Sequence, residues 1–388
     1  MAARKGIRKG MRMSSFARPP RRIATWLLGA LLGTGIASAM PPGRLFLVDS
    51  QVTPPVSSIY EVDPVSAVLA LKGDLGEAFT PVFGMAAANA RTLYLTGTDT
   101  SPANLCAGSV ACLLLKVVLD PASTTPSEIQ VIGVVSVEGS LVPEVTGLTF
   151  RQDGQLYGTS QLTDSLYRID TLTAQAVLIG NSGIDLHGGD ITFDDLDRLW
   201  TWTNIGSSSG LYQMDPATGL ATPDELHPFI DFSGMAALMH GEVLYGANPT
   251  SDRLHTLDLN QGLDGGVVMT FGGQTFNHRR GDVDSPYCDD DAACEEGDLC
   301  TRDLCTAGGC VHLPLNVDDL NPCTQDTCTS GFGPMHTSDP LCCLSNVACD
   351  DLQGCTNDSC ESNRCVHRAV FSCESSGDPT VRRVHRDN

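Results

Sequence analysis

The spacing of the cysteines constrains this chain most. Cys288, Cys294, Cys300, Cys305 and Cys310 run into Val311-His312, and Cys343, Cys349, Cys355, Cys360 and Cys365 run into Val366-His367 with the same intervals. A register kept to the residue is an internal duplication. Of the 16 cysteines, only Cys106 and Cys112 lie ahead of Cys288. Cysteine at this local density is held as disulfides in an oxidising compartment, whereas a cytosolic chain more often uses it for metal or catalysis.

The N-terminus points the same way. Residues 1–22 carry eight Arg or Lys and no acid, an apolar stretch follows from Ile23 to Ile36, and Ala37-Ser38-Ala39 fits a small-x-small cleavage site. The expectation is a secretory signal over residues 1–39, and the apolar run is short for an uncleaved membrane anchor. Arg21-Arg22 is a weak hint of twin-arginine export, without the usual continuation. The chain has a net charge of −22 while the leader is strongly basic. The remainder is therefore more acidic still, repels nucleic acid and anionic membrane surfaces, and favours cations as partners. Acidity of this kind is also what keeps a secreted protein soluble.

Between Arg44 and Gly273 two short motifs alternate five times. One is Leu-aromatic: Leu45-Phe46, Leu93-Tyr94, Leu156-Tyr157, Leu199-Trp200 and Leu244-Tyr245. The other ends in aspartate at Asp63, Asp120, Asp170, Asp215 and Asp258. Period-2 alternation reads as half-buried strands, and each aspartate opens a turn. A further apolar run follows each aspartate motif in most units, and a strand opening near Gly84, Gly147, Asp190 or Gly234 precedes the next Leu-aromatic pair. Four strands per unit, with intervals of 43 and 45 residues between the last three aromatics and longer ones of 48 and 63 before them, resemble a β-propeller of the divergent bacterial extracellular kind, with a two-sheet sandwich or solenoid as the alternative. The expected fold is all-β: about five four-stranded blades over residues 40–284, then a small disulfide-rich repeat domain over 285–373 and a polar tail over 374–388. The first unit lacks an opening strand, which the run Phe276–Asp284 is placed to supply. Cys106 and Cys112 are expected to staple the longest insertion.

The strands expected to line the propeller axis offer Asp190 as their one ionisable residue, a wall and not a catalytic ring. The loops ahead of them carry Glu144, Asp185 with His187, and Asp231. Such carboxylates and an imidazole at one mouth would suit a cation or acid–base chemistry; the plainer reading is surface and turn residues. No Gly-x-Ser-x-Gly elbow, His-Glu-x-x-His or phosphate loop occurs.

In the C-terminal part, Cys-Thr-x-Asp-x-Cys recurs at Cys300–Cys305, Cys323–Cys328 and Cys355–Cys360. This resembles the cysteine-rich repeat of slime-mould extracellular-matrix proteins, which implies a spacer or matrix module without enzymatic activity. The middle copy has Val317 and Pro334 where the others have cysteines. Loss of both together leads us to expect Cys294–Cys310 and Cys349–Cys365, with Cys300–Cys305, Cys323–Cys328 and Cys355–Cys360 as inner bridges; four cysteines allow three connectivities, so the other pairings stay open. Cys288, Cys342, Cys343 and Cys373 are left to link copies. The absence of Cys-x-x-Cys argues against cysteine-bound zinc. Asp289, Asp290, Asp291, Glu295, Glu296 and Asp298 crowd one loop and suggest weak calcium binding, outside any EF-hand register; no other cofactor is indicated. Arg280-Gly281-Asp282 is too short a match to carry an adhesion reading. The expected role is binding or structural, secreted or associated with the cell envelope or periplasm. Extracellular polysaccharide or a surface protein would be the partner. A propeller hydrolase or lyase using Glu144, His187 and Asp231 is the alternative.

Overall fold

The computed structural model describes residues 44–370, apart from 53, 101–104, 195, 204–208, 225–231, 233, 238–242, 260–261 and 264. The expected leader (1–39), Asp231, Cys373 and the expected tail (374–388) lie outside the described residues.

Five antiparallel sheets form a ring, and each begins with the strand nearest the axis. Blade 2 runs Val82–Ala87, Thr92–Gly97, Leu113–Val118, Glu128–Val134. Blade 3 runs Val145–Phe150, Leu156–Ser160, Ser165–Ile169, Ala176–Asn181. Blade 4 runs Asp190–Phe193, Leu199–Thr203, Gly210–Met214, Ala221–Pro223. Blade 5 runs Gly234–Ala237, Val243–Asn248 and Arg253–Asp258, with two short outer strands, Gly262–Leu263 and Val267–Val268. Blade 1 takes its inner strand from Gly281–Asp284, which pairs antiparallel with Leu45–Val52 from Phe46↔Asp284 to Asp49↔Gly281. The strand that follows blade 5 thus completes blade 1 and closes the ring.

The Leu-aromatic pair explains how the blades adhere. Neighbouring side chains on a strand point to opposite faces, so each dipeptide serves two interfaces at once. Leu45 packs with blade 5 and Phe46 with blade 2. Leu93 faces blade 1 and Tyr94 faces blade 3. Leu156 faces blade 2 and Tyr157 faces blade 4; Leu199 faces blade 3 and Trp200 faces blade 5. Leu244 and Tyr245 repeat the pattern towards blades 4 and 1. Five apolar clusters result, one between each pair of neighbours. Edge-to-face aromatic pairs reinforce three of them: Tyr94 with Phe150 at 5.5 Å, Tyr157 with Phe193 at 5.2 Å and Tyr60 with Phe276 at 4.8 Å between ring centroids.

The aspartate motifs make the expected turns. Asp170 Oδ1 accepts the N–H groups of Leu172 and Thr173, both at 2.8 Å, and Asp63 Oδ1 accepts those of Val65 and Ser66. Cys106 and Cys112 are joined within the blade 2 insertion.

Beyond the ring lie three β-hairpins: Thr301–Thr306 with Gly309–Pro314, Thr324–Thr329 with Gly333–Ser338, and Thr356–Glu361 with Arg364–Ala369. The first and third are preceded by single 3-10 turns at Asp291–Cys294 and Asn346–Cys349. The first repeat rests on the propeller. Tyr287 Oη donates to the Phe150 carbonyl at 2.9 Å, Ala90 N donates to the Asp289 carbonyl, and Ala307 packs against the cluster between blades 2 and 3.

The disulfides correct the expected inner bridges. Cys294 is bonded to Cys310 and Cys349 to Cys365. Cys300–Cys305, Cys323–Cys328 and Cys355–Cys360 do not form: Cys305 is bonded to Cys288, Cys300 to Cys328, Cys323 to Cys342 and Cys360 to Cys343. Cys355 is also disulfide-bonded. Cys-Thr-x-Asp-x-Cys is a β-strand, and five residues of strand span about 16 Å. A disulfide needs its Cα atoms within about 7 Å. Two bridges therefore cross between copies, Cys300–Cys328 from first to second and Cys323–Cys342 from the second to the approach of the third.

Candidate functional site

Around the axis of the propeller the inner strands of neighbouring blades approach closely. Inner strands of neighbouring blades share no ladder, so their edge N–H groups need other acceptors. Aspartates supply them: Asp282 Oδ2 accepts Met85 N–H at 2.6 Å, Asp284 Oδ2 accepts Ala87 N–H at 2.7 Å, and Asp190 Oδ2 accepts Met235 N–H at 2.6 Å. Thr96 performs the same task between blades 2 and 3, accepting from Gly84 N–H and donating to the Val145 carbonyl. Glycine permits the close approach. A Cβ on Gly234 would stand 2.3 Å from Val283 N, and Gly281, at φ +140°, lies against the Val48 carbonyl.

Burial raises the carboxyls of Asp282 and Asp284 well above the usual range and pushes Asp190 up to about 7. Asp190 Oδ1 is buried, and the side chain of Asp282 lies within hydrogen-bonding reach of the Asp190 carboxyl. One proton shared between the two satisfies both. The expectation of a single ionisable residue at the axis is thus incomplete: Asp282 and Asp284 arrive with the closing strand, and their work is to stitch blades together.

The mouth loops hold less than their composition suggests. Glu144 Oε2 accepts from Gln161 Nε2 at 2.8 Å, and Gln161 Oε1 accepts Gly188 N–H at 3.2 Å, so Gln161 ties the Glu144 strand end to the loop of His187. The His187 side chain is exposed, and the His187 backbone N–H donates to Asp185 Oδ1. Neither Glu144 nor His187 belongs to a convergent group of three His, Cys, Asp or Glu among the described residues.

The acidic loop expected to hold calcium is divided among separate tasks. Asp289 pairs with Arg44 at 3.4 Å, Asp290 Oδ1 caps Ala293 N–H at 3.1 Å, Asp291 Oδ1 accepts Cys305 N–H at 2.8 Å, and Asp298 Oδ1 accepts Cys300 N–H at 2.8 Å. Glu295 is exposed at the end of the 3-10 turn. Asp289, Asp290 and Asp291 also line a cleft of about 400 Å³ with Asn89 and Arg91. Glu296 belongs elsewhere.

That other place is a cluster present in every repeat. In each hairpin the register sets a strand aspartate directly opposite a histidine: Asp303↔His312, Asp326↔His336 and Asp358↔His367. The distance from Nδ1 to Oδ1 is 2.8 Å in all three. A second carboxylate approaches the same Nδ1 from the preceding loop: Glu296 at 3.5 Å, Asp319 at 3.6 Å and Asp351 at 3.6 Å. A threonine hydroxyl aims it, with Thr301 donating to Glu296 at 3.1 Å and Thr324 and Thr356 donating to Asp319 and Asp351 at 2.8 Å. The loop N–H of Glu296, Asp319 or Asp351 in turn donates to the strand aspartate's Oδ2. The hydrogen bond to each aspartate raises the histidines, and the histidine lowers Asp303 and Asp326; for Asp358 the Asp351 N–H is the larger cause, then His367. The imidazoles stay accessible, 35–40% exposed.

Sequence reasoning passed over these groups because their members lie 7 to 17 residues apart. The signal was available: the aspartate of Cys-Thr-x-Asp-x-Cys and the histidine of Cys-x-His lie two residues from a facing pair, Cys305↔Cys310 or Cys360↔Cys365. Reading the segment as a hairpin would have put them opposite one another.

A family model described as the Dictyostelium (slime mold) repeat matches residues 287–315, 316–333 and 348–370. Protein psiQ of Dictyostelium discoideum is 36% identical over 67 residues, which is 17% of this chain and 7% of psiQ. The chain thus matches only a small part of that relative's length. Among solved structures, a nidogen/laminin complex aligns at TM-score 0.36 and 12% identity, covering 62% of this chain and 97% of that one. A Bacteroides thetaiotaomicron protein of unknown function aligns at TM-score 0.40 and 14% identity, covering 71% and 70%. Virginiamycin B lyase from Staphylococcus aureus aligns at 0.33 and 12%, covering 70% and 80%.

Proposed function

We propose that this chain is a secreted or cell-surface binding and structural protein, with an adhesive or matrix role towards extracellular polysaccharide or a surface protein. The observation that carries the reading is the disulfide ladder of the repeats, in which Cys300–Cys328 and Cys323–Cys342 lock successive hairpins together. Their few buried side chains are chiefly cysteines (Cys288, Cys294, Cys343 and Cys349), so cross-links supply what an apolar core cannot. Such a module persists where thiols are oxidised. The match to a repeat found in psiQ supports the same setting. The propeller contributes a ring of five blades stitched together by buried aspartates, which suits presentation of a surface. Among the described residues no helix is long and apolar enough to cross a membrane.

The test is fractionation of cells making the full chain, followed by pull-down of the oxidised protein on cell-surface and matrix material. Recovery outside the cytoplasm with saturable binding is expected. A cytoplasmic chain with reduced cysteines, or turnover of an extracellular polymer by the purified protein, would overturn the reading.

A further inference from the structure

The carboxylate–histidine cluster recurs with a fidelity that the cysteines do not match. The middle repeat has Val317 and Pro334 in place of two cysteines, yet it retains Asp319, Asp326, His336 and the aiming hydroxyl of Thr324. In each copy the three donor atoms lie within 4.8 Å of one another. The local charge is unbalanced: two carboxylate oxygens face one ring nitrogen, and a neutral imidazole has a single Nδ1 proton to offer them. The shorter contact uses that proton. The longer one, at 3.5 to 3.6 Å, is beyond a normal hydrogen bond.

Around a tetrahedral ion with bonds of about 2.0 to 2.2 Å, ligand atoms stand about 3.3 to 3.6 Å apart. The second carboxylate already stands at that separation. The strand aspartate has to open from 2.8 Å by roughly half an ångström to reach it. The side of the cluster left open to solvent admits water as the remaining ligand.

We propose that each repeat holds one divalent transition-metal ion of the zinc class, bound by Glu296, Asp303 and His312 in the first copy, by Asp319, Asp326 and His336 in the second, and by Asp351, Asp358 and His367 in the third. The imidazole nitrogen selects this class over calcium, which takes six to eight oxygen ligands. Binding at Nδ1 moves a neutral ring's proton to Nε2, and an imidazolium releases one proton to solvent. The ion ties the loop ahead of each hairpin to both of its strands. In the first and third copies Cys294–Cys310 and Cys349–Cys365 already make such a tie. In the second the ion is the substitute, which accounts for a repeat that keeps its histidine after losing two cysteines. This inference stands independently of the adhesive role.

The experiment is zinc titration of the oxidised full chain, freed of metal by a chelator, by calorimetry and by native mass spectrometry. Three ions per chain are expected, with calcium and magnesium failing to compete at equal concentration. H336Q should bind two, and H312Q/H336Q/H367Q none, with disulfide mapping to show that the bridges are unchanged. Wild-type protein that binds no zinc has hydrogen-bonded latches in place of metal sites. Three ions retained by the triple variant, or displacement by calcium, would equally overturn the proposal.

Discussion

Asp282→Asn isolates the contribution of the buried carboxyls to ring closure. In the native ring Asp282 is wholly buried, receives Met85 N–H at 2.6 Å and shares a proton with Asp190. Its folded pKa lies well above the unfolded value of about 3.9. Between those two values the native state keeps a proton that the unfolded chain has lost. Stability therefore falls as pH rises, by about 1.36 kcal/mol per pH unit for this one group. Asparagine keeps an oxygen for Met85 N–H and supplies Asp190 with a donor that does not ionise. The variant should therefore lose less stability than the wild type as pH rises above 5, by at most about 1.36 kcal/mol per pH unit. Urea unfolding followed through Trp200 and Trp202, with disulfides intact, measures this at pH 5 and pH 7. Parallel pH dependences in the two proteins would refute the shared-proton account.

Three further outcomes follow from the packing. C300S/C328S removes a bridge across 28 residues of sequence and should cost about 3.5 kcal/mol by loop-closure entropy, read as faster proteolysis between the first two hairpins; an unchanged cleavage rate would remove the bridge from the account of rigidity. Gly234→Ala drives a methyl to 2.3 Å from Val283 N and should lower the propeller's stability by about 1–3 kcal/mol in thermal unfolding, with the closing strand first to exchange its amides. Asp170, held below the ordinary carboxylate range first by Leu172 N–H, stabilises its turn above the unfolded pKa and loses that effect as pH falls. Melting curves of D170N and wild type should therefore converge in acid and separate in the wild type's favour at neutral pH.

The propeller was legible because its signals are local. Leu156-Tyr157 and Leu199-Trp200 announce a strand with two buried faces within a few residues, and Asp170 or Asp215 marks the turn in the same window. The closing strand was legible only by subtraction, as the piece missing ahead of Leu45. The inner disulfides were misread because the pairing was argued only from the two cysteines missing in the middle copy, while Cys-Thr-x-Asp-x-Cys forms an extended strand that holds its two ends too far apart. The carboxylate–histidine clusters needed one step more, since Glu296, Asp303 and His312 meet only after hairpin register is assigned. The axial pair was hidden for a related reason: Asp190 and Asp282 are 92 residues apart and belong to non-adjacent blades.

The closing strand also sets how the molecule bears load. A pull on the third repeat passes through Cys343–Cys360, Cys323–Cys342, Cys300–Cys328 and Cys288–Cys305 before it reaches uncross-linked backbone. Four residues beyond Asp284 the covalent ladder begins, and behind it Gly281–Asp284 is held to Leu45–Val52 by a hydrogen-bonded ladder and the packing of Val283 against Leu45 and Leu47, without a covalent link. Tension therefore arrives at the latch of the ring. The repeats would stay whole while that strand slid out, and the propeller would open at the joint where it was closed.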